Sequence, residues 1–166
     1  MQQSSWQSFT RRIVVRAGLA EVYDAWCTAQ GLESWFLRYA LFEDRQIAIS
    51  PLTPVQTGNT YRWLWHGHGD ETKESGAILK ANGRDHLGFS FGKAGDVDVQ
   101  LQVLDAAQIM VVLTQYNIPY DEPSRKTYYA GCMAGWTFYL TNLKSVLEGG
   151  LDLRNRDAQL ENVVNA

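Results

Sequence analysis

The sequence predicts an α+β domain in which an antiparallel sheet is covered by helices on one face. Three observations predict it: strand-like and helical patterns occupy separate stretches, the middle of the chain is a series of short strands, and one long amphipathic helix comes last. The β-rich runs Tyr61–Trp65, Glu74–Ala81, Leu87–Phe91, Val97–Leu104 and Ile109–Tyr116 are divided by Gly, Asn and Asp clusters, the pattern of consecutive hairpins. Val97, Val99, Leu101 and Val103 alternate with Asp98, Gln100 and Gln102, so this strand shows one face to a core and the other to water.

The remaining elements follow in order. "FTRRIVVRA" (9–17) is β-branched at its centre and reads as the first strand. "GLAEVYDAWCTAQ" (18–30) places Leu19, Val22, Tyr23 and Trp26 at helical spacing, and "GLESWF" (31–36) reads as a second short helical turn ending on two aromatics. From Leu37 to about Asn59 we expect a strand and a loop, because Ile47 and Ile49 alternate before Pro51 and Pro54 break any central strand. "NIPYDEPS" (117–124) supplies breakers ahead of the closing helix (128–150), and Gly149-Gly150 is its expected C-cap. At 100° per residue Tyr129, Cys132, Met133, Trp136, Leu140, Leu143 and Leu147 form one stripe that should meet the sheet.

At 166 residues the chain is expected to form one domain, with a core over about 9–154 and a tail from 155 to 166. Apolar residues make up 45% and charged ones 20%, a globular balance rich in aromatics. The net charge of −3, with no run of Lys or Arg, gives no electrostatic footprint for nucleic acid or an anionic membrane. No stretch approaches the roughly 18 apolar residues of a membrane span, and the polar start lacks a signal-peptide core, so a cytoplasmic protein is expected. Cys27 and Cys132 lack metal or redox spacing and are expected as buried free thiols.

Gly131 and Gly135 weaken the closing helix, each by roughly 0.5–1 kcal/mol relative to alanine. Two explanations are open: close approach of another backbone, such as the short helices after strand one, or space for a ligand with Tyr128, Tyr139 and Asn142 at its rim. Tyr61, Trp63 and Trp65 share one strand face, and Phe89 and Phe91 share another, which supplies aromatic walls. Phe138, nearly opposite the core stripe, marks a contact surface for a homodimer, or is covered in a monomer by Leu160, Val163 and Val164 of the tail.

Catalytic chemistry is thin. "HGHGDE" (66–71) would align His66, His68 and Asp70 if extended, but Gly67 and Gly69 make it a hairpin tip, so no metal is expected. His86 reads as a surface residue, and Asp96, Asp98, Glu33 and Glu148 as solvated carboxylates. There is no G-x-S-x-G elbow, and "GKAGD" (92–96) lacks the helix of a phosphate site. An enzyme would need an acid or base inside the cavity, and no carboxylate is clearly placed there. We therefore expect no catalytic residue and no cofactor.

"VYDAWCTAQGLESWF" (22–36), with its Trp35-Phe36 pair, and "GCMAGWTFYLTNLKSVLEGGLDLR" (131–154), a G-W followed by spaced leucines, resemble the activator of heat-shock-protein-90 ATPase homologue-like family. The resemblance runs over about residues 9–154. It implies the START-like, birch-pollen-allergen-like helix-grip fold, in which a curved antiparallel sheet wraps a long C-terminal helix and leaves a cavity. It implies binding of an apolar or amphipathic small molecule, or alternatively association with a chaperone, or a polyketide cyclase-like activity. The chain begins almost at strand one, so the additional N-terminal domain of the eukaryotic chaperone activators is not expected. The expected cavity wall is Trp63, Trp65, Phe89, Tyr116, Met133 and Trp136, with Tyr139 as a polar contact at its edge.

Overall fold

A computed structural model describes residues 6–164. Strand β1 (Phe9–Val15) leads into helices α1 (Leu19–Cys27) and α2 (Ala29–Trp35). Strands β2 (Tyr39–Asp44), β3 (Ile47–Ala48), β4 (Thr60–Leu64), β5 (Lys73–Ala81), β6 (His86–Ser90), β7 (Asp96–Asp105) and β8 (Gln108–Tyr116) follow. The chain then runs through a helical turn, α3 (Glu122–Ser124), a π-helical stretch (Arg125–Ala130) and α4 (Gly131–Leu147). All eight strands make one antiparallel sheet in the order β1-β8-β7-β6-β5-β4-β2-β3. This curved sheet gripping a long C-terminal helix is the helix-grip fold expected from the sequence.

Period-two alternation sets the inner face. It is built by Tyr61 and Trp63 of β4, Ile78 of β5, Leu87 and Phe89 of β6, Val97, Val99 and Leu101 of β7, and Ile109, Val111, Leu113 and Gln115 of β8, all buried. Val103 leaves this row: it is 58% exposed where the β7–β8 ladder slips between Val103 and Asp105, and the end of that hairpin stands clear of the core. β1 occupies one sheet edge beside β8, and α4 covers its free side through the Lys144 ammonium on the Val14 carbonyl (2.8 Å) and Arg11 on the Thr137 hydroxyl (3.1 Å).

The closing helix starts earlier than its apolar stripe indicates. Asp121 caps α3 by accepting the Ser124 N–H at 2.9 Å, so "NIPYDEPS" contains the helix start rather than merely preceding it. The next six residues are π-helical, and the Gly131 N–H donates to the Lys126 carbonyl five residues back. At the other end Gly150 N–H bonds Ser145 O (2.7 Å) and Gly149 N–H bonds Val146 O (3.2 Å), with Gly149 at φ 80°, a Schellman motif.

Beyond that cap the chain returns to α2 and is clamped there. Arg154, almost wholly buried, donates to Leu37 O (2.9 Å), Glu33 O (3.0 Å) and both carboxylate oxygens of Asp152. Buried Asn142 donates to Trp35 O (2.8 Å) and accepts the Leu153 N–H (2.7 Å). Asn142 is therefore a fastening in the core, not a rim residue. The tail is not helical where described, and Leu160 (50%) and Val164 (79%) are exposed; residues 165 and 166 lie outside the described residues. Phe138 is half-buried, with its ring edge-to-face on Tyr139 at 5.3 Å.

Candidate functional site

Aromatic side chains from α2, from β4 and the residue just past it, and from α4 meet around Phe36, which lies just past α2. Its ring stacks on Trp35 (5.2 Å), meets Trp63 and Trp65 edge-on (5.8 Å each) and Tyr139 edge-on (4.9 Å), and tilts against Trp136 (5.0 Å). Trp136 is fixed by polar bonds as well as packing. Its indole N–H donates to the Gln115 side-chain oxygen at 2.9 Å, and the Gln115 amide donates to Ala94 O at 3.0 Å. A fully buried glutamine thus holds the tryptophan in one orientation, because leaving either polar group unpaired in the core would be costly.

Above these rings the N-terminal half of α4 stands off the sheet and leaves a cleft of about 510 Å³. Phe36, Trp65, Phe91, Trp136 and Tyr139 form its apolar walls, and Gly131, Cys132 and Gly135 its helical side. His68, Thr72 and Thr127 supply polar groups. The two helix glycines separate the open explanations. A Cβ placed on Gly135 meets nothing within 4 Å, and one on Gly131 meets only Lys126 O at 3.5 Å. No backbone presses on the helix at either position; open space lies beside them instead.

Of the residues expected in the wall, Trp65, Trp136 and Tyr139 line the cleft. Trp63 and Phe89 lie behind them as packed core, Trp63 against Phe36 and Phe89 at 5.1 Å from Trp63. Met133 packs against the core without lining the cleft. Tyr116 is on the outer face of the sheet, because its β8 neighbour Gln115 points inward; it sits near Asp96 and Asp98. Phe36, Thr72 and Thr127 join the site without having been expected there, and Phe91, read as an aromatic wall beside Phe89, lines it too. Phe91 was legible as the partner of Phe89 on one strand face, and Phe36 as half of the Trp35-Phe36 pair.

Burial controls the titratable groups around the cleft. It pushes the Tyr139 phenol up to about 12 and raises the Cys132 thiol, against an opposing hydrogen bond to Gln115, so this cysteine stays a neutral thiol rather than a nucleophile. Cys27 is buried and pushed up to about 12 in the same way. Both cysteines are free, though Cys132 is only half-buried. His66 is lowered by burial and by the neighbouring Arg154 and Arg156. Asp70 is taken by Arg38 at 2.6 Å, and among the described residues no group of three His, Cys, Asp or Glu could hold a metal ion. His86, read from the sequence as a lone surface residue, instead pairs across β6 and β7 with Asp98, and both side chains are largely covered.

One carboxylate does face inward. Glu74 stands directly opposite Trp63 in the β4–β5 ladder, and opposed residues share a face, so it belongs to the inner row with Gly76 and Ile78. Glu74 is not among the residues that line the main cleft; it lines a smaller recess beside it. The register that reveals it was not available from the β5 sequence by itself.

The family model described as Activator of Hsp90 ATPase homolog 1-like protein matches residues 16–148. No curated protein matches the chain significantly. Among solved structures, the protein SSP2350 from Staphylococcus saprophyticus is similar at 17% identity and TM-score 0.68, covering 89% of this chain and 96% of that one. The Aha1 dimer from Colwellia psychrerythraea is similar at 18% identity and TM-score 0.64, covering 86% and 97%. CalU16 from Micromonospora echinospora is similar at 19% identity and TM-score 0.61, covering 87% and 76%. At these identities the likeness establishes a shared fold. Among the described residues no helix is long and apolar enough to cross a membrane.

Proposed function

The chain belongs to the Activator of Hsp90 ATPase homolog 1-like family, and from that premise and the shape of its interior we propose that it is a small-molecule-binding domain. The cleft beside α4 takes an apolar or amphipathic molecule. The observation that carries this reading is the open space beside Gly131 and Gly135. Two glycines inside one helix cost it about 1–2 kcal/mol in total, with no close backbone to explain them. The cleft's volume falls within the roughly 300–1,000 Å³ of small-molecule sites, and its apolar walls with a few polar groups match their usual composition. Trp65, Trp136 and Tyr139 supply contact area and the rim polar group; Trp63 and Phe89 support them from behind.

Native mass spectrometry of the purified protein, paired with analysis of its organic extract, tests this. A stoichiometric adduct lost on denaturation is the expected result. In parallel, Gly135→Leu should fill the cleft and abolish the adduct while the protein stays folded. An adduct that survives this substitution unchanged would place the ligand elsewhere.

A second reading, association with a chaperone through the outer surface, is favoured by the family description, which names an activator of a chaperone ATPase. Under it the purified chain raises the ATPase rate of a purified 90-kDa heat-shock chaperone, and Gly135→Leu leaves that effect intact. No change in rate on adding the chain would remove this reading.

A further inference from the structure

Glu74 is set apart from the other inward-facing groups by what surrounds it. It lines a recess of about 360 Å³ whose walls include Phe91 and Cys132, the two residues that also line the main cleft, so the recess and the cleft adjoin across them. Thr72, two residues earlier in the chain, is on the cleft itself. The carboxylate lies against backbone that has been cleared for it. Gly92 has φ 54°, and a Cβ there would fall 2.6 Å from Glu74 Oε2. Any side chain at that position would push the carboxylate out of place.

The protein supplies this carboxylate with little. The Ser75 N–H bonds Oε1 at 3.1 Å, and among the described residues no Arg, Lys or His forms an ion pair with it. Lys93 lines the same recess without reaching it. Burial accordingly raises the carboxyl above its ordinary range, the response of an acid that has lost water and gained no cation. Asp152, in the clamp beyond α4, shows the alternative. It takes Arg154 and Arg156, each at 2.8 Å.

We infer that Glu74 is the polar anchor of the cleft and that the ligand is an apolar or aromatic body bearing a protonated amine. This rests on the cleft being a binding site. Aromatic faces attract a cation through their quadrupole, and an uncompensated carboxylate in the adjoining recess completes the recognition of an ammonium group. Phe91 is the aromatic face shared by the main cleft and the recess, with its ring centroid 5.8 Å from that of Trp136 in the cleft. An anionic ligand of the same shape meets Glu74 with like charge, and a neutral alcohol gains the apolar walls and a hydrogen bond without the ionic attraction.

Three probes of one shape separate these cases: 1-naphthylmethylammonium, 1-naphthalenemethanol and 1-naphthoate, titrated calorimetrically into the whole protein at neutral pH. The ammonium should bind about tenfold more tightly than the alcohol, a difference of ~1.4 kcal/mol, with the naphthoate weakest. In Glu74→Gln the ammonium should fall to within about twofold of the alcohol. Gly92→Ala, which displaces the carboxylate without removing it, should cut the same ratio. An ammonium-to-alcohol ratio equal in wild type and both variants overturns the inference, as does a wild type that prefers the alcohol or the naphthoate. If none of the three binds wild type, the cleft reading falls and takes this one with it. If the alcohol binds and the ammonium binds no better, the cleft stands and the anchor fails.

Discussion

The C-terminal half of α4 buries Leu140, Asn142 and Leu143 and stops in a Schellman cap, whereas its N-terminal half follows a π-helical stretch and presents Gly131 and Gly135 to open space. In the first region the prominent polar groups are paired. Asn142 bonds Trp35 O, Asp152 and Leu153 N–H, and Arg154 spans α2, Leu37 and Asp152. In the second, apolar rings face a cleft, and the nearby carboxylate of Glu74 has no ion pair among the described residues. The difference teaches where the fold keeps its stability and where it keeps its freedom. One helix serves both, because packing at its far end holds it in position while its near end stays thin. The wide π turn fits the same division, since such turns occur where a helix departs from regular packing and often at functional sites.

The largest effect should come from breaking the paired end. Arg154→Met removes the guanidinium from Leu37 O and Glu33 O and leaves Asp152 with Arg156 alone, so it should cost about 3–5 kcal/mol, read as a lower urea midpoint. Binding of any cleft ligand should survive in the fraction that remains folded. A loss below about 1 kcal/mol would mean that the clamp is ornamental and would remove the basis of the contrast.

A smaller effect is expected from acid at the same place. Burial by itself would raise the Asp152 carboxyl, but hydrogen bonds from Arg154 and Arg156 outweigh it and hold the group well below the usual carboxylate range. A folded-state pKa below the unfolded value contributes stability that is present above the unfolded value, about 3.9, and lost as pH falls through the folded one. Unfolding free energies measured from pH 5 downward should therefore decline below about pH 4, and Asp152→Asn should flatten that decline. Parallel curves for the two proteins would show that another carboxylate governs acid stability.

How far the sequence disclosed this division depends on whether the signal is local. The five central strands, the two short helices and the glycine cap lie in periodicity and turn chemistry, and were legible there. Trp136 and Tyr139 were legible as aromatics on the helix that carries two unexplained glycines, and Trp65 as part of an aromatic strand face with Tyr61 and Trp63. What stayed hidden depends on partners distant in the chain. Tyr116 was misplaced because it shares the outer row of β8 with Met110, Val112 and Thr114, whereas Ile109, Val111, Leu113 and Gln115 are buried and Gln115 bonds Trp136, twenty-one residues away. Glu74 emerged only when its register against Trp63 was known. The π stretch leaves little trace in residue type, Asn142 was read as a rim residue, and the roles of Asn142 and Arg154 emerge only when α2 is brought beside them.

The smallest effects are also the sharpest test, because one substitution type should act with opposite sign at the two ends of the helix. At Gly135 the backbone is helical and the space beside it is open, so Gly135→Ala should stabilise by about 0.5–1 kcal/mol through helix propensity. At Gly149 the φ of 80° belongs to the left-handed region, where a Cβ meets its own carbonyl, so Gly149→Ala should destabilise by about 1–2 kcal/mol although nothing lies within 4 Å of the added atom. Thermal unfolding of the two variants under one set of conditions reads both signs. If both destabilise, α4 at Gly135 is pressed by something that occupies the cleft, and the open half of the comparison fails. If both stabilise, the Schellman cap is not holding the helix end in the form described. Opposite signs leave Gly135 as a residue retained at a cost to stability, which points to the space beside it as the reason.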